Sequence, residues 1–289
     1  MTVRIRNFLS MIRVRHYIKN LLVYVALICS GQFFDTKKIF DGTVAFVAFC
    51  LFSSCIYIVN DIRDREKDRL HPTKCKRPIA SGAISAKTAA VTAVLFIAAA
   101  LVLDLLFLEP ASLLFPLIYL FINIAYSCGL KNKPVLDIAI LTAGFFIRVL
   151  YGAYVTEIVI SNWLYLIVLF MAFYFALGKR RNELKAGTET RAVLKYYSIN
   201  FLDKYMYICL TLANVFYALW SMEGTTVDHY RSNCIVFTVP LVFIITMKYG
   251  LDVDSGGDGD PVEVLLGDKV LLALSILYFA IMFVILYIL

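Results

Sequence analysis

The sequence predicts an all-α membrane protein with nine transmembrane helices, and three observations carry that expectation. The 289 residues are 61% hydrophobic and only 17% charged, where soluble domains run nearer half apolar and a quarter charged. Apolar stretches of about 20 residues, the length that crosses a bilayer core, recur from end to end. Lys and Arg fall almost wholly on one set of connections between those stretches, as cytoplasmic loops require.

The spans run roughly 17–34, 42–60, 88–108, 110–128, 135–155, 162–178, 205–222, 232–250 and 269–289. The first follows a basic N-terminal stretch, as a secretory signal would. Ser30–Phe34 offers no small-x-small cleavage site, however, and the bulky Ile28 before Cys29 argues against a lipoprotein site, so a retained first helix is expected. The N-terminal stretch and the connections near 60–87, 129–134, 179–204 and 248–269 together hold 24 of the 28 Lys and Arg residues. Lys37, Lys38 and Arg231 lie on the other side, and Arg148 lies inside a span. The basic side reads as cytoplasmic, with the N-terminus inside and the C-terminus outside.

The long polar connections, 61–87, 179–204 and 251–268, all fall on that basic side. Chemistry is therefore expected at the cytoplasmic mouth of a single polytopic domain, residues 1–289, in the cell (inner) membrane. The net charge of +7 is then a topology signal and an affinity for anionic headgroups, with no nucleic-acid partner implied. A homo-oligomer is compatible with such a bundle. None of the seven cysteines forms a CxxC pair and most lie in apolar runs, which excludes a disulfide framework and a zinc site. His16, His71 and His229 are scattered, which argues against a histidine-rich metal centre or a haem.

A dense charge cluster, NDIRDREKDRLHPTKCKRPIASG, interrupts this pattern from Asn60 to Gly82. Asn60, Asp64 and Asp68 are spaced by four, and Asp61 lies three before Asp64, so on a helix all four fall along one stripe. Stacked carboxylates repel one another unless a cation relieves them. Mg²⁺ suits such a set, because it binds oxygen through one or two carboxylates together with substrate phosphates. Lys74, Lys76 and Arg77 follow, as cations for phosphate oxygens. The competing reading is a solvated helix end neutralised by the interleaved Arg63, Arg65, Lys67 and Arg69.

The pattern N-D-x-x-D-x-x-x-D followed by H-P-T-K-x-x-R-P-I-A-S-G resembles the first aspartate-rich motif of the UbiA superfamily of intramembrane prenyltransferases. The resemblance spans the chain and implies nine helices and a cytoplasmic-side pocket. Members of that superfamily carry a second motif, D-x-x-x-D, at the end of the sixth span. Here that place reads LGKRRNEL from Leu177 to Leu184, with Glu183 its one acid, a departure that suits a lipid monophosphate better than a prenyl diphosphate.

Further stretches resemble the decaprenyl-phosphate phosphoribosyltransferase branch. They are RVRHYIKN from Arg13 to Asn20, YSCGLK from Tyr126 to Lys131 with Asp137 and Arg148, GKRRNEL from Gly178 to Leu184 in the pattern G-K-R-x-x-E-L, and YGLDVDSGG from Tyr249 to Gly257. That branch implies transfer of 5-phosphoribose from phosphoribosyl diphosphate to a polyprenyl phosphate with Mg²⁺, Mn²⁺ substituting, to give a precursor of lipid-linked arabinose for cell-wall polysaccharide. Asn60, Asp61, Asp64 and Asp68 would then hold the metal and diphosphate, and Lys76 and Arg77 the diphosphate oxygens. Lys19, Lys179 and Arg180 would hold the lipid phosphate. Tyr126, Lys131, Asp137, Arg148 and Glu183 would complete the substrate-binding set.

Asp252 and Asp254, with Gly256 and Gly257, resemble the loop by which soluble phosphoribosyltransferases hold ribose phosphate, since successive glycine N–H groups can cradle a phosphate. A plain solvated turn is the first alternative. A calcium loop is the second, with Asp252, Asp254, Gly257 and Glu263 at its ligand spacing. Arg148, about three helical turns after Asp137, is either a pocket-wall cation or a structural ion pair. Two other functions compete: prenyl transfer to an aromatic or glycerol-phosphate acceptor, and transport, although transporter sites lie near the midplane.

Overall fold

The computed structural model describes residues 3–187, 192–224, 226, 233–255 and 260–288. Among them the chain is helical, with no strand. The helices are α1 (Val3–Met11), α2 (Val25–Ile28), α3 (Thr36–Arg63), α4 (Arg65–Arg69), α5 (Ala86–Phe107), α6 (Leu114–Ser127), α7 (Leu136–Val155), α8 (Asn162–Lys185), α9 (Ile199–Met222), α10 (Val239–Asp254), α11 (Pro261–Gly267) and α12 (Lys269–Tyr287). Side-chain caps start many of them. Ser85, Ser161 and Ser198 accept from the backbone N–H three residues on, at 3.0, 3.1 and 3.1 Å; such caps are each worth about 1 kcal/mol. Asp268 caps α12 and also accepts from Lys248, so its carboxyl is held below the usual range, chiefly by that ammonium and then by the Leu271 N–H.

Eight helical segments among the described residues are long and apolar enough to cross a membrane, and they coincide with the last eight of the nine expected spans. The chain is a multi-pass membrane protein. The first expected span is built differently. Arg13 holds a left-handed backbone (φ 56°, ψ 50°), and the chain then runs as a 3-10 helix over Val14–Tyr24 before the short α2.

Contacts gather into two compact units. The first comprises residues 1–128 and 147–158. Its centre is α3, which packs on α5 through small side chains: Ala45 and Ala48 on one helix, Ala89, Ala93 and Ala100 on the other, all buried. Small residues let apolar helices close where lipid offers no hydrophobic drive between them. At Gly152 a Cβ would lie 1.8 Å from the Val23 carbonyl oxygen, so α7 touches the N-terminal segment backbone to backbone. Arg148 is buried nearby. Its Nε donates to Asn20 Oδ1 at 2.8 Å and its Nη2 to the Tyr119 hydroxyl at 3.0 Å, while the guanidinium lies over the Phe49 and Tyr119 rings. Asn20 in turn donates to Cys50 and Ser53 of α3, which fixes the segment carrying Arg13.

The second unit comprises residues 129–146 and 159–289. Here α8 and α9 pack along their length around Tyr174, Leu177, Leu202, Met206 and Cys209, joined by Tyr249 and Val253 of α10. A second cluster holds Tyr217, Trp220, Ile235, Met282 and Ile285.

Candidate active site

In the first unit the acidic stripe survives a break in the helix. Asp64 separates α3 from α4, yet its N–H still reaches the Asn60 carbonyl (2.9 Å) and its own carbonyl still accepts from Asp68 (2.8 Å). The ladder therefore continues, and Asn60, Asp61, Asp64 and Asp68 follow one another as the spacing predicts. Asn60 Oδ1 accepts from Ser127 at the end of α6 (2.6 Å). Asp61 and Asp68 are buried and Asp64 is half-buried. The chain after α4 doubles back: His71 Nδ1 accepts from Thr73 and Lys74, and Arg69 Nε donates to the Ala80 carbonyl. This turn delivers Arg77 to the stripe.

One nitrogen, Arg77 Nη1, contacts Asp61 Oδ1 at 3.1 Å and Asp68 Oδ2 at 2.7 Å. Arg13 Nη2 reaches the same Asp61 oxygen at 2.7 Å, and its guanidinium lies 4.5 Å from the Tyr57 ring centroid. Two buried carboxylates thus converge on a single cationic position, and their all-oxygen donor set fits a hard divalent ion. Among the described residues no three His, Cys, Asp or Glu side chains gather about one point; Mg²⁺ needs only one or two carboxylates when phosphates supply the rest. Of the other expected residues of this unit, Lys76 is exposed, while Lys19 and Tyr126 are half-buried.

The second unit places several of the expected residues in ion pairs. Arg180 is wholly buried. It donates from Nε to Asp137 (2.5 Å) and from Nη1 to Glu183 (2.6 Å). Asp137 also accepts from Tyr197, whose hydroxyl is pushed up to about 12 by burial and by that carboxylate. Arg180, Asp137 and Glu183 therefore hold one another inside the unit. Arg148 is held within the first unit by Asn20 and Tyr119. Lys179 keeps a partly exposed ammonium, 3.7 Å from Asp260, and Lys131 is half-buried in a 3-10 turn.

Asp252 and Asp254 are not in a loop. Both lie in the last turn of α10, two residues apart and so on different sides, with Val253 buried between them. Asp252 pairs with Lys248, which also holds Asp268. Asp254 accepts from Arg181 (2.5 Å) and Lys185 (2.9 Å). The helix sets the two aspartates about 200° apart, where the expected ribose or calcium loop would bring them together. Gly256 and Gly257, the expected phosphate cradle, lie outside the described residues.

Arg13, Ser127, Arg181 and Asp203 were missed as candidates. Arg181 pairs with Asp203 as well as Asp254. Asp203, an acid near the start of an apolar helix, is the one signal in the sequence; Arg13 reaches Asp61 from a left-handed backbone that residue spacing does not reveal.

The model of the UbiA prenyltransferase family matches residues 21–250. The decaprenyl-phosphate phosphoribosyltransferase of Corynebacterium glutamicum is 34% identical over 282 residues, covering 93% of this chain and 83% of that protein. The Mycolicibacterium smegmatis protein of the same name is 34% identical over 281 residues, covering 92% and 88%. Among solved structures, a UbiA homolog from Archaeoglobus fulgidus bound to GPP and Mg²⁺ shares the fold, with a TM-score of 0.70 at 19% identity over 97% of this chain and 99% of that one. With the family model covering most of the chain and relatives matched nearly end to end, this protein belongs to the UbiA prenyltransferase family.

Proposed function

We propose that this chain transfers 5-phosphoribose from phosphoribosyl diphosphate to a polyprenyl phosphate, releasing diphosphate, at the cytoplasmic face of the cell membrane. The product, polyprenylphosphoryl-5-phosphoribose, would feed lipid-linked arabinose for cell-wall polysaccharide. The observation that carries this reading is the near full-length similarity to proteins named decaprenyl-phosphate phosphoribosyltransferase. The end of α8 agrees with it, since the second acidic motif expected of a prenyl-diphosphate enzyme is replaced by cations.

Asn60, Asp61, Asp64 and Asp68 would hold Mg²⁺, with Mn²⁺ able to replace it; when bound, the ion offsets the charge of the departing diphosphate. Lys76 and Arg77 bind diphosphate oxygens, and Lys179 the lipid phosphate. The acceptor phosphate is already anionic near neutral pH, so no general base is needed. The protein's task is to orient the acceptor oxygen against the anomeric carbon and to stabilise the leaving charge. Single displacement inverts that carbon.

Detergent-solubilised protein incubated with radiolabelled phosphoribosyl diphosphate and polyprenyl phosphate should move label into the organic phase. EDTA should abolish this, and Mg²⁺ or Mn²⁺ restore it. Label that stays in water, while a prenyl diphosphate is consumed with an aromatic or glycerol-phosphate acceptor, would replace this reading by prenyl transfer.

A further inference from the structure

Arg13 and Arg77 occupy a position with consequences for the order of binding. Arg77 Nη1 spans Asp61 and Asp68, and Arg13 shares the Asp61 oxygen. Both carboxylates are nearly sealed, with side chains 5% and 7% exposed, whereas Arg13 and Arg77 remain 21% and 32% exposed. The guanidinium groups therefore border solvent, which the carboxylates scarcely do. Arg13 reaches its place from a left-handed backbone (φ 56°), a conformation that costs a non-glycine residue energy and often marks a functional constraint.

We propose that Arg13 and Arg77 are exchangeable counter-ions of the aspartate pair. They neutralise Asp61 and Asp68, yield those oxygens to the divalent cation of an incoming metal–diphosphate, and turn their N–H groups onto the phosphate oxygens. The proposal rests on the metal–diphosphate reading of the stripe. Charge dictates the order. Two guanidinium and two carboxylate groups sum to zero. A divalent ion alone would leave two cations without partners beside it, and diphosphate alone would bring its anions against two buried carboxylates. Together the ion offsets most of the diphosphate charge, the two guanidinium groups face the rest, and every charged group keeps an opposite partner. Metal and diphosphate should thus bind as one unit and neither well alone.

The test is equilibrium dialysis of the full-length, detergent-solubilised protein against radioactive Mn²⁺, with and without inorganic diphosphate, which counts only ion carried by protein. The wild type should carry Mn²⁺ weakly alone and strongly with diphosphate. Arg77→Gln and Arg13→Gln should each bind Mn²⁺ alone roughly tenfold more tightly or better, the scale of one charge-assisted hydrogen bond, and lose most of the gain from diphosphate. Arg77→Lys keeps the charge and should still exclude metal alone, which separates charge exchange from damage to the fold. Wild-type Mn²⁺ affinity and wild-type diphosphate gain in both Gln variants overturn the exchange while leaving the metal site standing, as does tight binding of metal alone by Arg77→Lys. A wild type that carries no Mn²⁺ under either condition removes the metal–diphosphate reading and the exchange with it.

Discussion

Lys179, Arg180 and Arg181 are consecutive, but a helix turns about 100° per residue, so they meet three different environments. Arg180 is enclosed by Asp137 and Glu183, Arg181 by Asp203 and Asp254, and Lys179 keeps part of its surface. Removing one partner of a buried charge pair costs about 3–5 kcal/mol, because the other is left uncompensated. Asp137→Ala should therefore lower the melting temperature sharply, and activity should fall with the folded fraction. Lys179→Ala should leave melting near wild type and raise the apparent KM for polyprenyl phosphate with that for phosphoribosyl diphosphate little changed. The reverse KM pattern would move Lys179 to the donor. On the stripe, Asp64→Asn and Asp68→Asn keep size and remove charge, and each should lose most transfer activity. Wild-type turnover in both would refute the metal assignment.

At the scale of elements, α7 depends on one glycine. A methyl group at position 152 would overlap the Val23 carbonyl, and backbone cannot step aside as a flexible side chain does. Gly152→Ala should force the N-terminal segment off α7, loosen the Asn20–Arg148 link and lower thermal stability by more than an exposed Gly→Ala change in a helix, which is neutral or favourable. Unchanged melting would mean that the segment can shift freely. Such close approaches leave no trace in hydropathy, which reports only which side chains avoid water. The apolar runs were legible because their length is set by the bilayer, and eight of them overlap helices whose ends differ by at most seven residues. The acidic stripe was legible because four-residue spacing survives the break at Asp64. The α10 end was not. Acids next to glycines read as a turn, but Val253 packs in the core and Arg181 and Lys185 bind Asp254, so tertiary contacts extend the helix through a sequence that local preference would have ended.

For the whole molecule the open quantity is the number of crossings, and the first segment decides it. Val14–Ile28 holds too few residues for a standard spanning α-helix. Most of it is 3-10 helix, however, and at about 2.0 Å per residue in that form and 1.5 Å in α2 the segment extends roughly 28 Å, close to the ~30 Å hydrocarbon core. With that crossing the spans number nine and the chain ends lie on opposite sides; without it they number eight and the ends share a side. The basic residues favour nine. Arg4, Arg6, Arg13, Arg15 and Lys19 precede or open the segment, only Lys37 and Lys38 in the first turn of α3 follow it at the far end, and the next connection carries eight Lys and Arg residues between 60 and 87. A short loop with two cations between two strongly basic ones is the pattern of an outer loop. A fluorescent protein fused before α1 should therefore fluoresce in intact cells, which requires folding in the cytoplasm. Alkaline phosphatase fused after α12 should be active, which requires export, and the same enzyme fused within 64–84 should be silent. Silent phosphatase after α12, with fluorescence retained at the other end, would make the Val14–Ile28 segment a re-entrant piece and leave eight crossings.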